Sequence, residues 1–447
     1  MSVKESCQYD SQASAHRSDG ATIQATASSL IWLVGLSHAT NHLVMLVFPS
    51  VLLLVQREFH LTYVELGILA NAGLLSYGLG ALPAGMLADR IGATRVLTIW
   101  LLGGSLTCVA IGFTTGPWAL GMGMAVLGLF ASLHHPAGSG VLVVLRQVLG
   151  ANVGRAFGRL GILGNIGLAS APFFAAAIGT RWGWRAAFWA AAIPGLVLVL
   201  PMWKYPRLSW PSEASLPPAS RTESRPFWNA LTLPLLLLFA FETLMGFVFQ
   251  GFTTFLPTYL AGQAGINGLT AAQIQRGGSF ASIALLCGGV GHIAAGRLMK
   301  SGHRQGIFLT TVAFNALCLF GMGATEGMPL LLFSIALSFS HFALGTMGNT
   351  FMAFQAPSKL GGTAFGITFA LSFGVGSLAS SSMGLVAQRL DLPSVFVVLG
   401  VVAIGGVALI AWFGLTTHAW TRSPDRAEAP GTHAAPVHPP EADTDPA

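Results

Sequence analysis

The sequence predicts an all-α membrane protein, with twelve transmembrane helices in two six-helix halves. Three observations predict it. Only 9% of the 447 residues are charged and 53% are hydrophobic, against roughly 25% charged in ordinary soluble domains. Apolar runs of bilayer-spanning length, about 20 residues, recur twelve times along the chain. A polar, Pro-rich segment then divides these runs six and six.

The first half holds spans 29–55, 63–88, 96–114, 117–145, 156–179 and 186–203. The second holds 230–261, 273–299, 306–324, 329–356, 363–388 and 393–415. Residues 1–28 are polar and lack the basic-then-apolar layout of a cleaved signal. They read as a cytoplasmic tail, which leaves span 1 as an uncleaved insertion signal. Thr62 and Glu65 stand at capping-box spacing where span 2 begins. Between the halves (29–203 and 229–415), residues 204–228 carry Pro206, Pro211, Pro217, Pro218 and Pro226, and read as a cytoplasmic linker. Residues 416–447, rich in Pro, Ala and acid, read as a disordered cytoplasmic tail.

Charge fixes the topology. With the N-terminus inside, only Arg57, Arg181, Arg185, Arg276 and Arg389 fall in outer segments, and the rest of the 22 Lys and Arg fall in inner ones. This positive-inside bias places both termini in the cytoplasm of a cell with the chain in its inner or plasma membrane. The net charge of +6 comes from bases scattered singly between apolar runs. It forms no stripe for nucleic acid. Cys7, Cys108, Cys287 and Cys318 make no C-x-x-C pair, so they suggest small packing residues rather than a metal site or disulfide framework.

Spans 2 and 3 are joined by Gly85-Met86-Leu87-Ala88-Asp89-Arg90-Ile91-Gly92-Ala93-Thr94-Arg95. The spacing G-x-L-A-D-R-x-G-x-x-R resembles the loop between helices 2 and 3 of the major facilitator superfamily. That resemblance covers nearly all of residues 29–415. It implies a two-repeat carrier in which the loop acid latches the halves on the cytoplasmic side, packed against the start of helix 11. A helix N-terminus carries roughly half a positive charge, and Gly362 or Thr363 would begin that helix here. The plainer alternative is a solvated turn whose charges only set topology. The second half has Gly296 to Arg304 in the matching place, with Lys300 where the acid would be, so the latch should be unequal. Gly154-Arg155-Ala156-Phe157-Gly158 and Gly362-Thr363-Ala364-Phe365-Gly366 echo each other six spans apart. Parallel repeats of this kind place a binding site near the midplane at their interface.

Ionisable groups do lie at that depth. At 1.5 Å per residue, His38 in span 1 is about 13 Å from its inner end, His135 in span 4 about 15 Å and Glu242 in span 7 about 18 Å. His341 in span 10 is also central. Such residues face a cavity or a partner by default, and spans 1, 4, 7 and 10 are symmetry mates that line the central cavity in the superfamily. His38, His42, His135, Gln250, His341 and Asn349 are therefore the candidate substrate-binding residues. For His38 and His135, packing against a neighbouring carbonyl is an equal alternative. Glu242 is the one acid deep in a span. An anion there is costly, which suits a group that takes up and gives back a proton, or one that binds substrate. Arg159 and Arg276, near the two mouths, either attract an anion or serve as interfacial charges.

Span 5 carries Gly161, Gly164, Asn165, Gly167 and Pro172. Small residues permit close helix contact and the proline a kink. The set resembles the Gly-rich helix 5 motif of drug/proton antiporters, with Ala171 where a Gly is usual. A narrower resemblance rests on Ser37-His38 with Asn41, Phe48-Pro49, His135-Pro136, Gly164-Asn165 with Gly167, and Phe255 to Leu260. These patches look like the fosmidomycin-resistance branch of the superfamily, which implies proton-driven drug efflux by antiport. His42 stands where that branch often has an acid, and span 4 has no Arg of the kind many proton antiporters carry.

The expected function is thus proton-coupled export of a small organic compound by alternating access. The rival is proton-coupled uptake of a metabolite such as an organic acid. A receptor that does not transport is the alternative of another class. No H-E-x-x-H, G-x-S-x-G or P-loop string is present, so neither an enzyme nor an ATP-driven pump is expected. No cofactor and no metal is expected. The expected partners are a small-molecule substrate, protons and the lipid bilayer, with the chain a monomer. Asp89→Asn should leave the protein folded and expressed but reduce transport strongly. Unchanged flux kinetics in proteoliposomes would overturn the latch.

Overall fold

A computed structural model describes residues 3–149, 153–205, 231–262, 269–299, 303–355 and 361–417. The expected linker beyond Tyr205 and the expected tail beyond Thr417 lie outside the described residues. So do the side chains of residues 3–25.

The first half consists of α1 (Val3–Phe59), α2 (Tyr63–Ile91), α3 (Ala93–Ile111), α4 (Pro117–Ser132), α5 (His134–Leu149), α6 (Val153–Trp182) and α7 (Trp184–Trp203). The second consists of α8 (Leu233–Ala261), α9 (Ala271–Leu298), α10 (Arg304–Ala324), α11 (Gly327–Gln355), α12 (Gly361–Phe369), a π-helical turn (Ala370–Val375), α13 (Leu378–Arg389) and α14 (Leu392–Thr417). Twelve spans among the described residues are long and apolar enough to cross a membrane, from Thr26–Phe59 to Leu392–Thr417. Span 4 is α4 with the first part of α5, and span 11 runs through the π turn.

The apolar surface agrees with a bilayer. Trp118 is 88% exposed, and Leu79, Met122, Leu200 and Val401 are also largely uncovered. A soluble monomer rarely shows so much contiguous apolar surface. Exposed tryptophans lie near span ends: Trp118 and Trp182 at the end marked by Gly183, Trp32, Trp203 and Trp412 at the end marked by Gly92. Amphipathic indoles favour both membrane–water boundaries. The chain is a multi-pass membrane protein.

Local sequence sets where helices stop. The charged segment between spans 2 and 3 was expected to be a loop, with span 3 starting at residue 96. Instead α2 continues to Ile91 and α3 starts at Ala93, leaving Gly92 alone to turn the chain. Gly92 has φ +93°, a conformation that a side chain would strain. Gly183, at φ +88°, does the same between α6 and α7. Proline breaks span 4 differently. Pro136 has no N–H to give to Ser132, so it is tolerated in the first turn of a new helix, and α5 starts at His134 after a break at Leu133.

The second span of each half opens with the same device. Thr62 and Glu65 cap each other reciprocally at the start of α2, and Thr270 and Gln273 do so at the start of α9. This matched pair supports the internal repeat suggested by the Gly-Ala-Phe strings.

The halves meet along two seams, where glycines let backbones touch. On the α2–α13 seam, a Cβ at Gly67 would run into the Ser380 carbonyl, and one at Gly384 into the Tyr63 carbonyl. Further along, Gly78 lies against the backbone of Gly374 in the π turn. On the α6–α9 seam, a Cβ at Gly278 would lie 2.5 Å from the Pro172 oxygen. There Ser282 Oγ receives the Phe173 N–H at 2.9 Å. Arg57 adds a guanidinium contact to the Leu269 carbonyl. These approaches run from mid-bundle to the Gly183 end. Gly67→Val should therefore lower the unfolding temperature in detergent, costing about 1–3 kcal/mol by overpacking. Gly158→Ala, whose Cβ would meet nothing within 4 Å, should not. Equal melting curves for both variants would contradict this seam.

Candidate functional site

Four imidazoles converge where α1 meets the break between α4 and α5. His38 and His42 are four residues apart on α1 and so share a face, while His134 and His135 open α5. His38 Nδ1 lies 2.8 Å from the Leu160 carbonyl of α6. A carbonyl only accepts, so the proton is on Nδ1 and Nε2 keeps its lone pair. That Nε2 is 3.0 Å from His42 Nε2. His134 stacks on His38 with centroids 5.0 Å apart and meets Ser37 Oγ at 3.1 Å through Nδ1. His135 stands edge-on to His38 at 4.8 Å, and its Nε2 is buried with no hydrogen-bond partner.

Asn41, fully buried, holds this corner together. Its amide donates to the Ala131 carbonyl at 2.8 Å, fixing α1 against the end of α4. Its oxygen accepts from Tyr77 OH at 3.2 Å. Removing it would leave the buried Tyr77 hydroxyl without this acceptor, at about 1–3 kcal/mol.

The cluster faces rings from the other half. Phe369 lies 4.9 Å from His135, Phe373 5.1 Å from Tyr77, and the two phenylalanines stack at 4.5 Å. Both come from the end of α12 and the π turn, a helix distortion often found at functional sites. The site is thus half imidazole and half aromatic face.

Glu242 sits on α8, opposite the cluster's half. Its Oε1 packs onto Gly348 of α11, where a Cβ would collide with it, and has no hydrogen-bond partner. Ser372 of the π turn donates to the Glu242 main-chain carbonyl at 3.0 Å. His341 of α11 stacks on Phe249 of α8 at 5.4 Å, with Nδ1 buried and unpartnered. His292 of α9 is 2.7 Å from Thr346 Oγ1. Gln250 is buried, with an unpartnered Nε2, and lines a small enclosed pocket with Met45, Phe48 and Thr254. Asn349 is exposed.

The span 5 set divides its contacts. Gly164 admits the His38 ring and Gly167 the Ala39 carbonyl, so these glycines seat α6 on α1. Asn165 faces α9, with its Nδ2 2.7 Å from where a Cβ at Gly289 would sit. Gly161 has open space around a built Cβ. Arg159 lies over the Trp32 ring at 5.8 Å, and Arg276 is exposed.

At the Gly92 end, Gly85 approaches Pro136 and Arg95 is exposed. The side chains of Asp89 and Thr363, and residue Lys300, lie outside the described residues. Cys108 and Cys318 are buried and unpaired, in keeping with a packing role.

His134, Tyr77, Phe369 and Phe373 were not among the candidates read from sequence. The His134-His135 doublet was a visible signal for the first. The rings had none, because Phe and Tyr in apolar spans look like any packing residue until the halves are docked.

Known proteins agree with this architecture. The chain is 26% identical over 373 residues to the cis,cis-muconate transport protein of Acinetobacter baylyi, covering 77% of this chain and 84% of that protein. It is 24% identical over 425 residues to the gallate transporter of Pseudomonas putida, covering 84% and 88%. The fosmidomycin resistance protein of Escherichia coli is 20% identical over 390 residues, covering 86% and 93%. Among solved structures, the inward open xylose transporter XylE of Escherichia coli matches at a TM-score of 0.70 and 13% identity, covering 87% of this chain and 96% of that one. The family model of the Major Facilitator Superfamily matches residues 31–381, which include the α6–α9 seam and all four clustered histidines, and the chain belongs to that superfamily of transporters, not to a family of enzymes.

Proposed function

We propose that this transporter carries a small unsaturated or aromatic organic acid together with protons. The observation that carries the reading is the pairing of imidazoles from one half with stacked rings from the other. Imidazole N–H groups can receive a carboxylate. Phe369, Phe373 and Tyr77 offer faces and edges to a conjugated or aromatic body. Two relatives are named for muconate and gallate, acids of this kind.

Glu242 is the proton-carrying group in this reading. It lies nine residues from the start of α8, about 14 Å deep, where an unpaired anion is costly. Its contacts to α11 and the π turn let protonation bias how those elements pack. The physical need for protons is electrical. Bringing an anion into a cell against an inside-negative potential costs about 2.3 kcal/mol per charge per 100 mV, and protons moving with it cancel that charge. We place the Gly92 end and both termini in the cytoplasm, with the halves fastened at the outer end and the cavity opening inward.

Export of a drug-like compound is the second reading. It is favoured by the match to the fosmidomycin resistance protein and by the small-residue face of α6.

Proteoliposomes loaded at controlled pH should accumulate cis,cis-muconate or gallate when a proton gradient is imposed. Glu242→Gln should abolish gradient-driven accumulation while leaving substrate exchange measurable. Gradient-driven accumulation at the wild-type rate in Glu242→Gln would remove the coupling assignment. No uptake of either acid, with raised tolerance of a producing strain to antibiotics, would select export.

A further inference from the structure

We infer that His38, His42 and His135 form a binding site for a late first-row divalent metal ion such as Zn2+ or Ni2+. One ring nitrogen from each of the three lies within 4.8 Å of the others. A tetrahedral zinc ion with bonds of about 2.0–2.1 Å spaces its ligands about 3.3 Å apart. The His38–His42 separation of 3.0 Å is already near that value. His135 needs a ring movement of up to about 1.5 Å, measured against the same ligand spacing.

The arrangement has the features of a prepared ligand set. His38 and His42 stand four residues apart on α1, the spacing that turns two imidazoles of one helix toward one ion. The His38 Nδ1–H is held by the Leu160 carbonyl at 2.8 Å, which fixes the ring and leaves the Nε2 lone pair aimed at the centre. Such an outer partner is what metal-binding histidines usually carry. The Nε2 of His135 is buried and has no partner of its own. Two nitrogens at 3.0 Å need either a proton or a cation between them, because facing lone pairs repel. His134 stays outside the triad, turned toward Ser37.

Ligand type selects the metal. Imidazole suits Zn2+, Ni2+, Co2+ and Cu2+, whereas Mg2+ and Ca2+ require oxygen ligands. Three neutral imidazoles leave the ion its full charge and a fourth position. His42 and His135 are partly exposed, so that position is open to water or to an anion entering the bundle. The cost of a dication at membrane depth falls when an anion takes it. The site therefore binds the metal without depending on transport direction or cargo.

The test uses the full-length protein in detergent with its purification tag removed, titrated with Zn2+ against a chromogenic chelator. One Zn2+ should bind per chain, displaced by Ni2+ and not by Mg2+. His42→Ala and His135→Ala should each weaken binding at least tenfold, since loss of an outer partner alone costs 10–100-fold. His134→Asn should stay within threefold of wild type. A variant with His16, His433 and His438 changed to Ala should bind as wild type does. Full binding in both triad variants, or its loss in the tail variant, would overturn the site. Should the triad variants not fold, Co2+ added to the wild-type protein decides. An intense visible spectrum of four-coordinate, nitrogen-ligated cobalt is expected, and a weak six-coordinate spectrum refutes the site.

Discussion

The fold rests on backbone touching backbone between its two halves. Inside a bilayer, helices gain little from hiding apolar surface, because lipid is as apolar as leucine; association depends on close packing and hydrogen bonds. The glycines on α2, α9 and α13 let the halves approach more closely than any side chain permits. Everything at mid-bundle follows from that docking. The seams place the π turn over Tyr77 and the histidines, and they bring two separate helical packs together along faces of unlike chemistry.

Those faces have different chemistry. The first half contributes nitrogen: four imidazoles tied to α1, α4 and α6 by Asn41, Ser37 and Leu160. The second contributes rings and one carboxyl, with Phe369, Phe373, Phe249 and Glu242 arranged around α8, α11 and the π turn. Under the proposed function, a cargo lying between them would touch both halves, so its binding would be sensitive to how they are oriented. That is the requirement for coupling occupancy to alternating access.

The architecture was legible because bilayer thickness imposes a length on every helix, and the charge pattern repeats around it. Histidines at midplane depth were legible for a related reason: polar groups are rare there, so each one stands out. What sequence reasoning missed depends on docking between distant segments. Phe369 reads as one more apolar residue until α2 and the π turn meet. The segment around Asp89 read as a loop because charge suggests solvent, whereas helix geometry needs only Gly92 to reverse direction. His38, weighed as either a packing donor or a cavity group, does hydrogen-bond a neighbouring carbonyl, that of Leu160, and its other nitrogen is turned to a second histidine, His42.

The π turn at Ala370–Val375 also has a mechanical consequence. A wide turn stores one residue more than the α-helix it interrupts, with Gly376 N–H reaching back five positions to the Leu371 carbonyl at 3.0 Å. Moving that extra residue along span 11 would rotate the intervening segment by ~100° about its own axis, the angle per residue of an α-helix. If the bulge migrated toward the Gly183 end, Ser380 and Gly384 would turn away from Gly67 and Tyr63. Phe369, on the other side of the bulge, would keep its place. A shift of register by a single residue would thus unfasten one seam like a ratchet tooth, while Phe369 held its place beside His135.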